Sequence, residues 1–117
     1  PMLCFFGNIN PLIKYINKIG IKALMVEENR KGFSMDILKI REILNEEITL
    51  FGNIDPYEAL VKGRSEDVEK AVKKQLLAAQ RGRFIVCNGS PLIEGTPPEN
   101  VKTMIGVARR YGKNPQY

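Results

Sequence analysis

Five side chains occupy places where chemistry can be done: Asn8, Glu27, Asn53, Asn88 and Ser90. Asn8, Glu27, Asn53 and Asn88 stand where four separate apolar runs give way to polar chain, and Ser90 lies just beyond the last of these breaks. Amides donate and accept hydrogen bonds without carrying charge, so three Asn residues in such places suit a polar organic ligand better than a bare metal ion. Glu27 directly follows its apolar run and can accept a proton, hydrogen-bond a ligand or pair with Arg30. Glu28 and Asp55 read more simply, as a solvated loop residue and a helix cap. Ser90, in Gly89-Ser90-Pro91, has no histidine to activate it and is not expected to be a nucleophile.

The chemistry this sequence excludes is equally specific. It contains no His, so it supplies no His general base, His-containing triad or His metal ligand. No Gly-x-Gly-x-x-Gly or Walker phosphate motif is present. Cys4 and Cys87 fall in different apolar runs without paired-ligand spacing, which reads as buried, reduced thiols of a cytoplasmic protein and argues against a structural zinc site. The charge balance, 18 Lys and Arg against 13 Asp and Glu, gives +5. Its densest points, Lys73-Lys74, Arg81/Arg83 and Arg109-Arg110, lack interleaved aromatics and read as solvated helix surfaces, with no nucleic-acid partner. No run approaches the ~20 apolar residues of a membrane span, and Pro1 to Phe6 lacks the basic flank of a signal peptide.

Four βα units would position these residues. Met2–Phe6, Lys22–Val26, Ile48–Phe51 and Phe84–Cys87 read as strands, and their continuous apolar character predicts a parallel sheet covered on both faces. Asn10-Pro11 predicts a capped helix with Leu12, Ile13, Tyr15, Ile16 and Ile19 on its apolar face and Gly20 at its end. Asp36 predicts the cap of a helix that buries Ile37, Ile40, Ile43 and Leu44. Asp55-Pro56 starts a short helix ending near Gly63. Ser65 caps a long one with Val68, Val72, Leu76 and Ala79 inward, ended by Gly82. Thr96-Pro97-Pro98-Glu99 reads as a capping box before a helix that buries Val101, Ile105 and Ala108, with a frayed tail from Lys113 to Tyr117. In such proteins ligands bind at the carboxyl ends of the strands, where the five residues lie.

The sequence also repeats itself. Phe6-Gly7-Asn8-Ile9-Asn10-Pro11 recurs as Phe51-Gly52-Asn53-Ile54-Asp55-Pro56, 45 residues on, at the same strand-to-helix junction. Shared junction chemistry accounts for this, with Gly for a tight turn, Asn/Asp as cap and Pro at the helix start. A shared role of Asn8 and Asn53 at a ligand accounts for it too.

These residues resemble the C-terminal half of the uroporphyrinogen decarboxylase superfamily. Leu50 to Pro56, followed by Gly63-Arg64-Ser65-Glu66-Asp67-Val68, resembles that family's Gly-Asn-[Ile/Val/Leu]-Asp-Pro and Gly-[Thr/Ser]-x-[Glu/Asp]-x-Val patterns. Gly82 to Val86 resembles its final strand, and Thr96-Pro97-Pro98-Glu99-Asn100-Val101 the start of its last helix. Phe6-Gly7-Asn8 takes the place of a Cys-Gly pattern. Met25 to Glu28, with Gly32 to Asp36, looks more like the cobalamin-dependent methyltransferase and divergent branches.

The resemblance implies a (β/α)8 barrel of which this chain supplies units five to eight as one domain, residues 1–117, about half of the ~250 residues typical of that fold. It implies a tetrapyrrole or corrinoid bound in the barrel mouth, and methyl transfer or decarboxylation by the complete protein, with this chain alone inactive; a half-barrel that has lost its chemistry is the other possibility. Methyltransferase relatives often hold zinc with His-x-Cys on the fifth strand and a later Cys. Here Cys4, Phe6 and Ser90 take those positions, so zinc and thiol activation by zinc are in doubt. Decarboxylase relatives commonly carry His in the loop after the last strand, where this chain has Asn88-Gly89-Ser90-Pro91. Four units leave two open sheet edges, so the chain is expected to pair with an N-terminal barrel half or with a second copy.

Overall fold

The computed structural model describes residues 1–29 and 32–113. Four strands, β1 (Met2–Phe5), β2 (Ala23–Val26), β3 (Thr49–Phe51) and β4 (Phe84–Ile85), form one sheet in the order β1-β2-β3-β4. All pairings are parallel, with Cys4 beside Met25, Met25 beside Phe51 and Phe51 beside Ile85. The pairing of β3 with β4 runs on beyond the short strand: Ile54 N–H donates to Cys87 O at 3.0 Å and Gly89 N–H to Ile54 O at 2.9 Å. Ladder-like contact therefore reaches Asn88, one residue past the expected strand end.

Between strands lie α1 (Ile13–Ile16), preceded by a 3-10 turn at Asn10–Leu12, α2 (Ile37–Ile43) and α3 (Ser65–Ala79), preceded by a π-helix at Pro56–Val61; α4 (Pro98–Tyr111) follows β4. Strand order that advances one place at a time, with crossovers of one hand, puts every helix on one face of the sheet. The packing agrees. Leu24, Val26 and Leu50, all 1% exposed or less, meet Ile13, Ile16, Ile37 and Ile40 from α1 and α2 and Ala78 from α3. Val86 joins Val68 and Val72 of α3 and Met104 and Ala108 of α4 in a second cluster. Side chains on a strand alternate between faces, so Met2, Cys4 and Ile85 belong to the opposite face. There Met2 is 47% and Ile85 44% exposed, and Cys4, expected to be buried, is exposed too, because no described element packs on that face. The expectation that both faces are covered is met on one side only. The other is apolar and open, because no described element crosses to it.

Several local expectations change. Asn10 does not cap: it lies within the 3-10 turn, whose N-cap is Ile9. Ser65 is the first residue of α3; Arg64 is its N-cap, and Arg64 N–H donates to the Asp67 carboxylate at 2.9 Å. Thr96 Oγ1 donates to Ile93 O at 2.6 Å, and α4 starts from Pro97 without a side-chain cap. Asp36 and Asp55 do cap, Asp36 accepting from Leu38 N–H and Asp55 from both Tyr57 and Glu58 N–H. The buried stripe of α3 is Val68, Val72, Gln75 and Ala78, rotated from the expected one, and α4 turns Asn100, Met104, Val107 and Ala108 inward while Ile105 is exposed. Ile43 of α2 and Tyr15 and Ile19 around α1 are likewise exposed, and Arg41 takes a core position instead. The expected frayed tail lies outside the described residues beyond Lys113.

Candidate functional site at the carboxyl ends of the strands

β2 ends in two adjacent carboxylates, Glu27 and Glu28, each 6% exposed. Glu27 Oε1 accepts the Gly7 N–H at 2.6 Å, which ties the loop after β2 to the loop after β1. Glu28 Oε2 accepts the Ser90 hydroxyl at 2.7 Å, which ties the same loop to the one after β4. These two strands are not neighbours, and Gly89 makes the approach possible. A Cβ there would lie 2.3 Å from Glu28 N and 2.6 Å from its Oε2. Asn88 Nδ2 donates to Ser90 O at 2.5 Å and fixes the turn that presents the hydroxyl. Asn88 and Ser90 are thus linked to Glu28, which the sequence places in solvent, while Glu27 joins them as its chain neighbour and bonds toward Gly7. The suggested pairing of Glu27 with Arg30 lies outside the described residues.

The other two candidates are placed differently. Asn8 is exposed, and its Oδ1 accepts from Asn10 N–H at 3.1 Å and Asn10 Nδ2 at 2.9 Å, a local turn. Asn53 is buried. Its Nδ2 donates to Glu27 O at 3.1 Å and Met35 O at 2.7 Å, and its Oδ1 accepts from Gln75 Nε2 at 3.1 Å. Both amide hydrogens of Asn53 are therefore committed to the backbone of the loop that carries the two glutamates. The shared-ligand account of the Gly-Asn repeat does not hold in this geometry, since one Asn is a surface turn residue and the other a bolt within the core.

Gln75 is the residue on which this arrangement turns, and the expected stripe of α3, which runs through Leu76, leaves it out. With Asn53 oriented by two carbonyls, Gln75 must donate to Asn53 Oδ1, which leaves Gln75 Oε1 against Gly52. An ideal Cβ on Gly52 would sit 1.5 Å from that oxygen. Arg41 and Asn100 are two more buried polar residues absent from any sequence motif of chemistry. The Arg41 guanidinium donates to Ile48 O and Leu44 O at 2.9 Å, to Arg83 O at 3.1 Å and to Asn45 O, joining the end of α2 to the starts of β3 and β4. Burial pushes its pKa down, with Glu46 opposing. Asn100 Nδ2 donates to Leu60 O at 2.9 Å and Gly63 O at 2.8 Å and anchors α4 to the π-helix.

Among the described residues no group of three His, Cys, Asp or Glu side chains could hold a metal ion. Of the two thiols, Cys87 is half-buried, and burial pushes its pKa up against a smaller opposing hydrogen bond from the Asn88 backbone, which keeps it protonated and a poor nucleophile. Among the described residues no helix is long and apolar enough to cross a membrane.

Parallel strands with helices on one face make an α/β fold consistent with part of a (β/α)8 barrel, and the polar group lies at the strands' carboxyl ends, where proteins of that class bind their ligands. The sequence profile of the uroporphyrinogen decarboxylase (URO-D) family matches residues 1–111, and the chain belongs to that family. It is 31% identical over 105 residues to "Methylcobamide:CoM methyltransferase MtbA" of Methanosarcina mazei, covering 90% of this chain and 28% of that protein. It is 28% identical over 122 residues to "Uroporphyrinogen decarboxylase" of Wigglesworthia glossinidia brevipalpis, covering all of this chain and 32% of that protein. A solved structure, "methyltransferase from Methanosarcina mazei", superposes with a TM-score of 0.75 at 25% identity over 96% of this chain and 31% of that one. The chain thus spans under a third of the length of these relatives.

Proposed function

We propose that this chain is the C-terminal half of a (β/α)8 barrel, four consecutive βα units in one domain, in an enzyme that binds a tetrapyrrole-type small molecule. Methyl transfer from a corrinoid substrate, in the manner of methylcobamide methyltransferases, is the reaction we assign to the complete protein. The observation that carries this reading is the buried Glu27-Glu28 pair that ends β2, hydrogen-bonded to the loops after β1 and β4. A strand ending of this kind resembles the methyltransferase branch, and the similarity to MtbA supports it. Glu27, Asn88 and Ser90 are the ligand contacts, Asn8 borders them, and Asn53 holds their loop. The open apolar face and the two unpaired sheet edges are to be covered by an N-terminal barrel half or a second copy of the chain, with no nucleic acid or membrane as partner. The free thiols Cys4 and Cys87 suit the cytoplasm.

The test is the protein in full, incubated with methylcobalamin and a thiol acceptor, or with uroporphyrinogen. Demethylation of the corrinoid, read from its absorption spectrum, without release of carbon dioxide is the expected outcome. Decarboxylation without demethylation establishes the second reading, which the relative named uroporphyrinogen decarboxylase, matched along the whole chain, favours. Neither reaction leaves a half-barrel with an assembly role. On its own the chain is expected to self-associate, and a cooperatively unfolding monomer at micromolar concentration in analytical ultracentrifugation overturns the half-barrel reading.

A further inference from the structure

We infer that the mouth formed by this chain is metal-free, and that Ser90, which takes the place of a zinc-ligating Cys, is committed to a direct hydrogen bond with Glu28. This rests on the family reading of the site but not on which reaction it performs. The oxygens of Ser90 and Glu28 are 2.7 Å apart. That is the separation of an O–H···O bond to a carboxylate. Two oxygens that share a tetrahedral zinc at ordinary bond lengths stand about 3.3–3.6 Å apart. A shared proton, not a cation, fits between them.

The surrounding backbone holds them at that distance. Gly89 lies so close to Glu28 that a Cβ would be 2.3 Å from its backbone nitrogen, and Gly89 N–H is itself bonded to Ile54 O at 2.9 Å. On the β1 side, Glu27 is drawn to the Gly7 N–H at 2.6 Å, an interaction that occupies the carboxylate with a backbone donor. Phe6, at the end of the same strand, is a 62% exposed aromatic ring with no donor atom to offer. Of Cys4, Phe6 and Ser90, one alone is a thiol, and a soft divalent ion has no set of ligands to prefer.

The experiment measures metal directly. The protein in full is purified, exposed to excess zinc or cobalt(II), desalted and measured for bound metal, alongside the variant Cys4→His/Phe6→Cys/Ser90→Cys. Wild type is expected to retain well under a tenth of an equivalent. The variant is expected to gain about one, with the thiolate-to-cobalt charge-transfer absorption of a His/Cys site. Wild type that retains about one equivalent overturns the inference, whatever the variant does. So does a variant with unchanged circular dichroism and melting that takes up none, because the three positions then do not converge where the Ser90–Glu28 bond stands. If the variant does not fold, the wild-type measurement decides alone. Metal content is read without turnover, so it fails or stands separately from the methylcobalamin assay.

Discussion

The two copies of Phe-Gly-Asn-Ile-Asx-Pro are near-identical in sequence and opposite in use. In the first, Gly7 is needed for its backbone: its φ is +120°, and the nearest atom to an added Cβ is 3.7 Å away. In the second, Gly52 has no positive φ but no room, since an added Cβ meets Gln75 Oε1 at 1.5 Å. Asn8 makes an exposed local turn; Asn53 makes three buried bonds to distant groups. Asn10 sits inside a 3-10 turn, whereas Asp55 caps the π-helix. The difference arises from what lies behind each junction. Behind β3 stands α3, long enough to bring Gln75 onto Gly52; after β1 the chain enters a 3-10 turn and a helix of four residues, and Asn10 of that turn reaches Asn8 only at the surface.

The sharpest way to break this comparison is at the glycines. Gly52→Ala must drive Gln75 off its seat and leave Asn53 Oδ1 without its donor, so overpacking and a lost buried hydrogen bond add to about 3 kcal/mol or more. Gly7→Ala makes only an ordinary contact with Phe5 and suffers backbone strain, about 1–2 kcal/mol. Denaturant midpoints of the two variants check the ordering. Adding Gln75→Ala to Gly52→Ala is expected to recover about 1–2 kcal/mol relative to the sum of the single changes. A Gly7→Ala variant that costs as much as Gly52→Ala would remove the distinction.

The asparagines come next. Asn53→Ala strands Gln75 Nε2 and takes a donor from both Glu27 O and Met35 O, an expected loss of about 2–4 kcal/mol. Asn8→Ala, at an exposed turn, is expected to cost about 0.5 kcal/mol. A second readout sharpens the contrast. Asn53 holds the loop whose Glu27 accepts the Gly7 N–H, so amide exchange at Gly7 is expected to accelerate in Asn53→Ala relative to wild type, beyond what global destabilisation gives.

How much of this the sequence carried depends on the reach of each interaction. Strand positions and the capping roles of Asp36 and Asp55 are legible because their determinants lie within a few residues. Gln75, Asn100 and Arg41 are not. Their partners lie 22, 40 and up to 42 residues away, and a periodicity argument turns a polar side chain toward water. Three of the four helix stripes misread in the sequence shift for this reason: α2 admits Arg41, α3 admits Gln75 and α4 admits Asn100. Glu28 is a different case. Strand alternation sends Glu27 and Glu28 to opposite sides, so one of them reads as solvated; burial of both follows from the loop after β4 lying across them, which Gly89 permits. The open face of the sheet is equally invisible, because a continuous apolar strand looks the same whether its second face is covered by its own helices or by other chain.

The smallest expected difference lies at the last position of the motif before proline. Asp55 Oδ1 accepts Tyr57 N–H at 2.8 Å and Glu58 N–H at 2.9 Å, two donors at a helix start that have no partner within the helix. Asp55→Ala is therefore expected to cost about 1 kcal/mol, and Asp55→Asn only a few tenths, since Asn caps nearly as well. Asn10 gives its own amide hydrogens away instead, to Asn8 Oδ1 and to Ser34 O at 2.9 Å, both at the surface. Asn10→Ala is expected to cost about 0.5 kcal/mol, and Asn10→Asp, which keeps an acceptor but loses both side-chain donors, no less. Equilibrium unfolding of the four variants tests this crossed pattern. Tolerance of Asp at position 10, together with an Asn10→Ala cost equal to that of Asp55→Ala, would mean that both junctions are capped alike after all, and that the divergence of the two copies ends at their asparagines.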